Sequence, residues 1–123
     1  MKKQIKHLDV LFSKFVRLRD ADSDGLVRCC TCGKVDHWKK RQCGHFMSRR
    51  HLATRWEEKN TGSQCVSCNI FKQGEQVEFA KYLDKRYGEG TAEAMRIKSR
   101  NRFDKAMVTI LIKQYENKIN NIR

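Results

Sequence analysis

The chain has 123 residues, 39% hydrophobic and 33% charged, with 27 Lys and Arg against 14 Asp and Glu, a formal charge of +13. That length predicts one compact domain over residues 1–123. The absence of any long apolar run excludes a bilayer span, and membrane is not an expected partner. A net charge of this size and sign predicts a polyanion partner, with nucleic acid first, because each neutralised phosphate releases condensed counterions.

Residues 5–19 place Ile5, Leu8, Leu11, Phe12, Phe15, Val16 and Leu18 at helical spacing with Lys and Arg between them, which predicts an amphipathic N-terminal helix over 5–20. It ends in DADSDG (20–25). Asp20, Asp22 and Asp24 match the first positions of a calcium loop with Gly25 at the sixth, but position 12 falls on Thr31, which is no bidentate carboxylate. The segment therefore reads as a helix-ending turn with solvated aspartates. Residues 26–75 form a compact centre that holds all six cysteines and short strand-like pieces. The helical period returns over Val77, Phe79, Ala80, Leu83 and Tyr87, halted by Gly88 and Gly90. Thr91 is placed to cap a helix to about Lys98, and a last helix carries Phe103, Met107, Ile110, Leu111, Ile112, Tyr115 and Ile119. The C-terminal part, 76–123, is thus helical, and the Met and aromatic positions along it are ordinary core.

The start, MKKQIKHLDV, lacks the apolar stretch of a secretory signal, which predicts a reducing compartment where paired cysteines bind metal rather than each other. Cys29-x-x-Cys32-Gly33 and Cys65-x-x-Cys68-Asn69 are two C-x-x-C pairs separated by 32 residues. A two-residue gap lets both thiolates face one ion at about 2.3 Å, and two such pairs complete a closed tetrahedral site, the mark of structural Zn²⁺. Cys30 is an alternative register, but Cys29 alone gives the two-residue gap to Cys32. A redox reading of C-x-x-C needs a βαβ context that is missing. With four cysteines committed, Cys43 reads as a small buried thiol, and His45, two residues on in QCGHF, is free for chemistry.

From His45, Asn60 lies 15 residues downstream and Asn69 a further 9, directly after the last zinc cysteine. Lys72 and Gln73 come one turn later if a helix begins near residue 69. His37 and His51 have no comparable support.

This H-x14-N-x8-N spacing, set between C-x-x-C and C-x-x-C-N-x-x-K, resembles the HNH (ββα-metal) nucleases. More narrowly, LFSKFVRLRDADSDGLVRCCTCGK, GHFMSRRHLATRWEEKN and QCVSCNIFKQG resemble the NinG/Rap family of phage recombination endonucleases, over about residues 8–90 and more loosely beyond. The resemblance implies a small α+β fold: a zinc-stabilised ββα-metal core flanked by an N-terminal helix and C-terminal helices. It implies His45 as general base, Asn69 as a ligand of catalytic Mg²⁺ or Mn²⁺, and Asn60 as the group that keeps His45 oriented. Histidine titrates in the right range to activate water, and a cation offsets charge on the phosphoryl oxygens. In many HNH enzymes the residue before the base also binds the ion; here it is Gly44, as in NinG-like sequences. A second metal ligand is left open, with Gln73 the first candidate and Glu58 the second.

Arg49, Arg50 and Arg55 between the base and Asn60, the run Lys39, Lys40 and Arg41 before it, and Lys72 after it are candidate DNA contacts. The resemblance also implies branched recombination intermediates (Holliday junctions, D-loops) as substrate and the bacterial cytoplasm as the compartment. A homodimer, with two sites to cut a junction symmetrically, is a further expectation. The rival reading is a non-catalytic zinc-ribbon DNA-binding accessory protein, which assigns no role to His45 or Asn69. A protein-interaction adaptor explains the charge least well.

Overall fold

The computed structural model describes residues 1–122, so Arg123, at the end of the predicted helical part, lies outside the described residues. Helix α1 (Lys2–Arg19) buries Leu8, Phe12, Phe15 and Val16, spaced to fall on one stripe. Against that stripe pack Val108 and Tyr115 of α5 (Met107–Asn120), with Trp56 completing the cluster. The Tyr115 ring meets Phe12 edge-on at 5.0 Å and Phe15 at 5.2 Å. Each large apolar side chain buried this fully contributes about 1.5–3 kcal/mol, so the two terminal helices are held to each other although most of the chain separates them.

Between them lie two antiparallel hairpins. Strand β1 (Leu26–Arg28) pairs with β2 (Val35–His37), and β3 (Gln42–His45) pairs with β4 (Thr61–Gln64) in the register His45↔Thr61, Gly44↔Gly62 and Gln42↔Gln64. The β3–β4 connection, residues 46–60, carries the one-turn helix α2 (Leu52–Arg55) and a 3₁₀ turn at Glu58–Asn60. A second apolar cluster joins Phe46 to Phe79 and Leu83 of α3 (Gln76–Tyr87) and Ala92 and Met95 of α4 (Thr91–Lys98).

Four local expectations are corrected. The helix expected from about residue 69 is a single π-type turn, Ser67–Phe71. The chain then turns back through Gln73 (φ 53°), Gly74 (φ 85°) and Glu75 (φ 51°), which puts three residues in the left-handed region before α3 begins. The Gly74 N–H donates to the Cys68 carbonyl at 2.8 Å and its own carbonyl accepts from Gln64 Nε2 at 2.9 Å, so buried hydrogen bonds secure the reversal. Thr91 does not cap α4: its hydroxyl donates to the Gly88 carbonyl, and the Ala92 N–H is taken by Asp84 Oδ1 reaching across from α3 at 2.9 Å. Phe103 precedes α5 and packs against Trp56 with ring centroids 5.3 Å apart and the planes tilted by 49°, while Asp104 Oδ1 accepts the Ala106 N–H where the helix starts. The aspartates of DADSDG are not merely solvated. Asp22 Oδ1 accepts the N–H groups of Asp24 and Leu26 at 2.9 Å each, and Asp20 takes an Arg86 fork from α3 at 2.6 and 2.8 Å.

Candidate metal centre and nuclease site

The β1–β2 turn presents Cys29 and Cys32, and the segment leaving β4 presents Cys65 and Cys68. Their four Sγ atoms lie within 4.8 Å of one another. Cys32 Sγ and Cys65 Sγ are 3.8 Å apart, the edge of a tetrahedron whose centre is about 2.3 Å from each sulfur. Backbone N–H groups point at the sulfurs: Cys65 N–H donates to Cys29 Sγ at 3.3 Å and Cys68 N–H to Cys65 Sγ at 3.4 Å. Burial pushes the Cys29 thiol up, but donors from Thr31, Cys65 and Cys32 outweigh it and bring it down to about 6, whereas burial raises Cys32 and Cys68, so Cys29 is the first of the cluster to lose its proton. A soft four-sulfur donor set of this size fits Zn²⁺, with no position left for substrate. Cys30 and Cys43 stand outside the cluster. Cys30 packs against the α3–α4 core, and burial pushes the Cys43 thiol up to about 12.

His45 ends β3. Its Nε2 lies 2.9 Å from the carbonyl oxygen of Arg55. A carbonyl only accepts, so Nε2 carries the proton and Nδ1 keeps its lone pair. Burial holds the His45 pKa below the usual 6.5; the Arg55 carbonyl raises it in part, and the nearby Arg49 charge lowers it further. The neutral imidazole is therefore the form present at pH 7.

Asn60 is fully buried. Its Oδ1 accepts the Met47 N–H at 2.8 Å, and its Nδ2 donates to the carbonyls of Met47 (3.1 Å) and Thr54 (3.0 Å). One side chain thus closes the 46–60 loop on itself, tying Met47, two residues after His45, to Thr54, the residue before Arg55.

Asn69, in the π-type turn, donates Nδ2–H to Gln42 Oε1 at 2.7 Å, which leaves Oδ1 as an acceptor. His45 and Asn69 both line two adjoining clefts, of about 570 and 390 Å³. The larger is walled by α1 through Asp9, Ser13 and Arg17, with Arg41, Gln42 and Arg49 opposite; the smaller by Ser48, Arg50, His51, Gln73 and Gln76. The histidine and the asparagine therefore sit on the boundary between two open grooves.

The other expected residues divide. Arg49 and Arg50 are exposed at the clefts, Lys39, Lys40 and Lys72 are exposed, and Gln73 lines the smaller cleft. Arg41 is buried, its guanidinium donating to the Lys34 carbonyl, so it is a cleft wall rather than a free surface contact. Arg55 is no free phosphate contact either, because both prongs of its guanidinium are spent on Asp9. Glu58 is corrected as a metal-ligand candidate. Its carboxylate accepts from Tyr115 Oη at 2.8 Å and Lys118 Nζ at 2.6 Å and lines neither cleft.

Three residues here escaped sequence reasoning. Asp9 gathers the arginines, Gln42 orients Asn69, and Gln64 explains Gly44. A Cβ on Gly44 would fall 2.1 Å from Gln64 Oε1, so the position before His45 is glycine because a buried glutamine from β4 fills that space.

The fold and site define a small α+β protein with a four-cysteine cluster that could hold a metal ion beside a basic cleft. The family model described as Bacteriophage Lambda NinG protein matches residues 1–123, and the chain belongs to that phage NinG family. It is 26% identical over 97% of its length to proteins called ninG from Escherichia phage 933W and from Enterobacteria phage VT2-Sa. The chain spans 58% of the length of those relatives. No solved structure matches it. Among the described residues no helix is long and apolar enough to cross a membrane.

Proposed function

We propose that this protein is a metal-dependent DNA endonuclease of the HNH class, with His45 as general base. One observation carries the reading: a histidine with Nε2 committed to a carbonyl and the asparagine after the last zinc cysteine meet at the boundary of two basic clefts. The antiparallel strand pair of β3 and β4 and the adjoining four-cysteine cluster support this reading, although the helix that the HNH resemblance implies is here a single π-type turn.

His45 Nδ1 accepts a proton from the water that attacks phosphorus, and its depressed pKa keeps it unprotonated near neutrality. Asn60 holds the loop and Gln42 turns the Asn69 amide so that Oδ1 is available. Asn69 Oδ1, a hard neutral oxygen, would hold Mg²⁺ or Mn²⁺, with Gln73, which lines the same cleft, the first candidate for a second ligand. Bound there, the ion would offset charge on the phosphoryl and leaving oxygens. Arg50 and the exposed remainder of Arg49, whose Nη2 is bonded to Asp9, bind flanking phosphates. The substrate is a branched recombination intermediate such as a Holliday junction, and two chains act together to cut it symmetrically.

The test incubates zinc-loaded protein with a four-way junction and a matched linear duplex, with Mg²⁺, Mn²⁺ or EDTA, beside His45→Ala and Asn69→Ala. The wild type is expected to nick the junction only with added metal, while both variants bind but do not cut. Equal cutting by His45→Ala would remove the general base. Binding without cutting under every condition would leave a zinc-ribbon DNA-binding protein.

A further inference from the structure

Asp9 projects from the first half of α1 into the larger cleft, 36 positions before His45 in sequence. Its two oxygens accept four N–H donors. Oδ1 takes Arg55 Nε and Trp56 Nε1, each at 3.0 Å; Oδ2 takes Arg55 Nη2 at 2.6 Å and Arg49 Nη2 at 2.8 Å. All three partners belong to the 46–60 loop. Burial raises the Asp9 carboxyl, but the Arg55 fork and the Arg49 charge outweigh it and hold the group below its usual 3.8, so it is an anion at neutral pH.

Arg55 is thereby gripped at both ends. Its guanidinium is forked onto α1, and its backbone carbonyl accepts the His45 Nε2–H at 2.9 Å. A third bond, Arg55 Nη1 to the Arg49 carbonyl at 3.2 Å, folds the loop over the fork. Helix α2 has four residues, too few to hold its own geometry, since a single isolated turn is unfavourable. The place of the Arg55 carbonyl is therefore set by what anchors the segment: Asn60 holds the Thr54 carbonyl from within the loop, and Asp9 holds the Arg55 side chain from α1.

We propose that Asp9 is a positioning residue for His45: through the two-pronged Arg55 fork it holds the Arg55 carbonyl that keeps the imidazole in its Nε2–H tautomer, with Nδ1 free. This rests on the reading of His45 as the base, and it assigns α1, which lies outside the motif, a part in the reaction. An ion pair that merely tightens the fold would act differently, and the same helix supplies the control. Asp20, at the C-terminal cap of α1, takes an equivalent Arg86 fork at 2.6 and 2.8 Å that joins α1 to α3 and does not touch His45.

The experiment uses the zinc-loaded full chain with two readouts. Long-range ¹H–¹⁵N spectra of histidine-labelled protein report the His45 tautomer without any need for turnover. Steady-state cleavage of a four-way junction with Mg²⁺ reports kcat and KM. Wild type and Asp20→Ala are expected to show one Nε2–H tautomer at His45. Asp9→Ala is expected to show a mixture, with kcat down about 10–100-fold, the usual scale for a displaced reactive group, and KM little changed. Because Asp9 acts through Arg55, the double variant Asp9→Ala/Arg55→Ala should lose no more than the worse single. If Asp9→Ala does not fold, Arg55→Lys keeps the charge, lacks the fork and carries the same expectation. A single tautomer with near-wild-type kcat in either variant would overturn the proposal. If the wild type cuts nothing, the nuclease reading falls, and the tautomer comparison of Asp9→Ala with Asp20→Ala still decides whether Asp9 positions His45.

Discussion

Gly44→Ala is the smallest change that probes the packing behind the site. The added Cβ would lie 2.1 Å from Gln64 Oε1, 2.7 Å from its Cδ and 3.0 Å from its Cγ. The clash runs from Oε1 through Cδ to Cγ, so rotating the tip cannot relieve it. Nor can the side chain swing away freely. Gln64 is fully buried, and its Nε2 donates to the Gly74 carbonyl at 2.9 Å and to Thr31 Oγ1 at 3.1 Å. Ejecting it loses one buried and one part-buried hydrogen bond, about 1–3 kcal/mol in all, and where it stays the overpacking costs about another 1–3 kcal/mol. The expected loss is therefore about 2–6 kcal/mol, read as a lower urea midpoint at unchanged slope for zinc-loaded protein. Removing the obstructing side chain should relieve the clash, so Gly44→Ala/Gln64→Ala should lose at least about 1 kcal/mol less than the two singles summed. A single-variant loss under about 0.5 kcal/mol, or plain additivity, would refute the steric account of the glycine. The same geometry predicts that Gly44→Asp fails to restore a metal ligand, because its carboxylate would need the space Gln64 occupies.

Zinc removal should unfold the centre of the chain, since a structural Zn²⁺ supplies about 10–16 kcal/mol of binding free energy that only the folded site captures. One metal per chain, the absorption of a tetrahedral thiolate site on Co²⁺ substitution, and loss of both in Cys68→Ser but not in Cys43→Ala would establish the ligand set. The pH dependence follows from His45, whose folded pKa lies below its unfolded 6.5 because burial disfavours the cation. Between those values the unfolded chain holds more protons, so this contribution to stability is full above pH 6.5 and is lost as pH falls through the folded value. Asp9 and Glu58 add a second loss in stronger acid, since their folded values lie below 3.8 and 4.5. Urea midpoints against pH should fall more steeply just below 6.5 in wild type than in His45→Ala. A midpoint that rises over that interval would contradict the buried neutral imidazole.

What was legible in the sequence was whatever depends on short spacing. Periodicity places α1 and α3 because helical side chains three and four apart share a face. The two C-x-x-C pairs identify the cysteine cluster because a knuckle is a local structure, and the family was legible because several such motifs occur in order. The three corrected element ends share one cause: Thr91 yields to Asp84 of α3, Phe103 is drawn to Trp56, and the helix after Cys68 is cut short by a turn bonded to Gln64. Each was decided by a partner remote in sequence or outside the element.

The site divides along the same line. Residue types and spacing singled out His45, Asn60 and Asn69, but nothing local distinguishes Asp9 from any other acid on an amphipathic helix. Gln42 and Gln64 likewise read as ordinary polar residues of short strands. The spacing also could not tell that Arg55 faces Asp9, that Arg41 is buried, or that Glu58 turns to Tyr115 and Lys118. By itself the sequence determined which chemical groups this protein carries and in what order. Only the packing of α1 and the two hairpins decided which charges cancel one another and which stay open to a ligand, because hydrogen bonds and ion pairs are set by distance in space, and chain separation does not predict it.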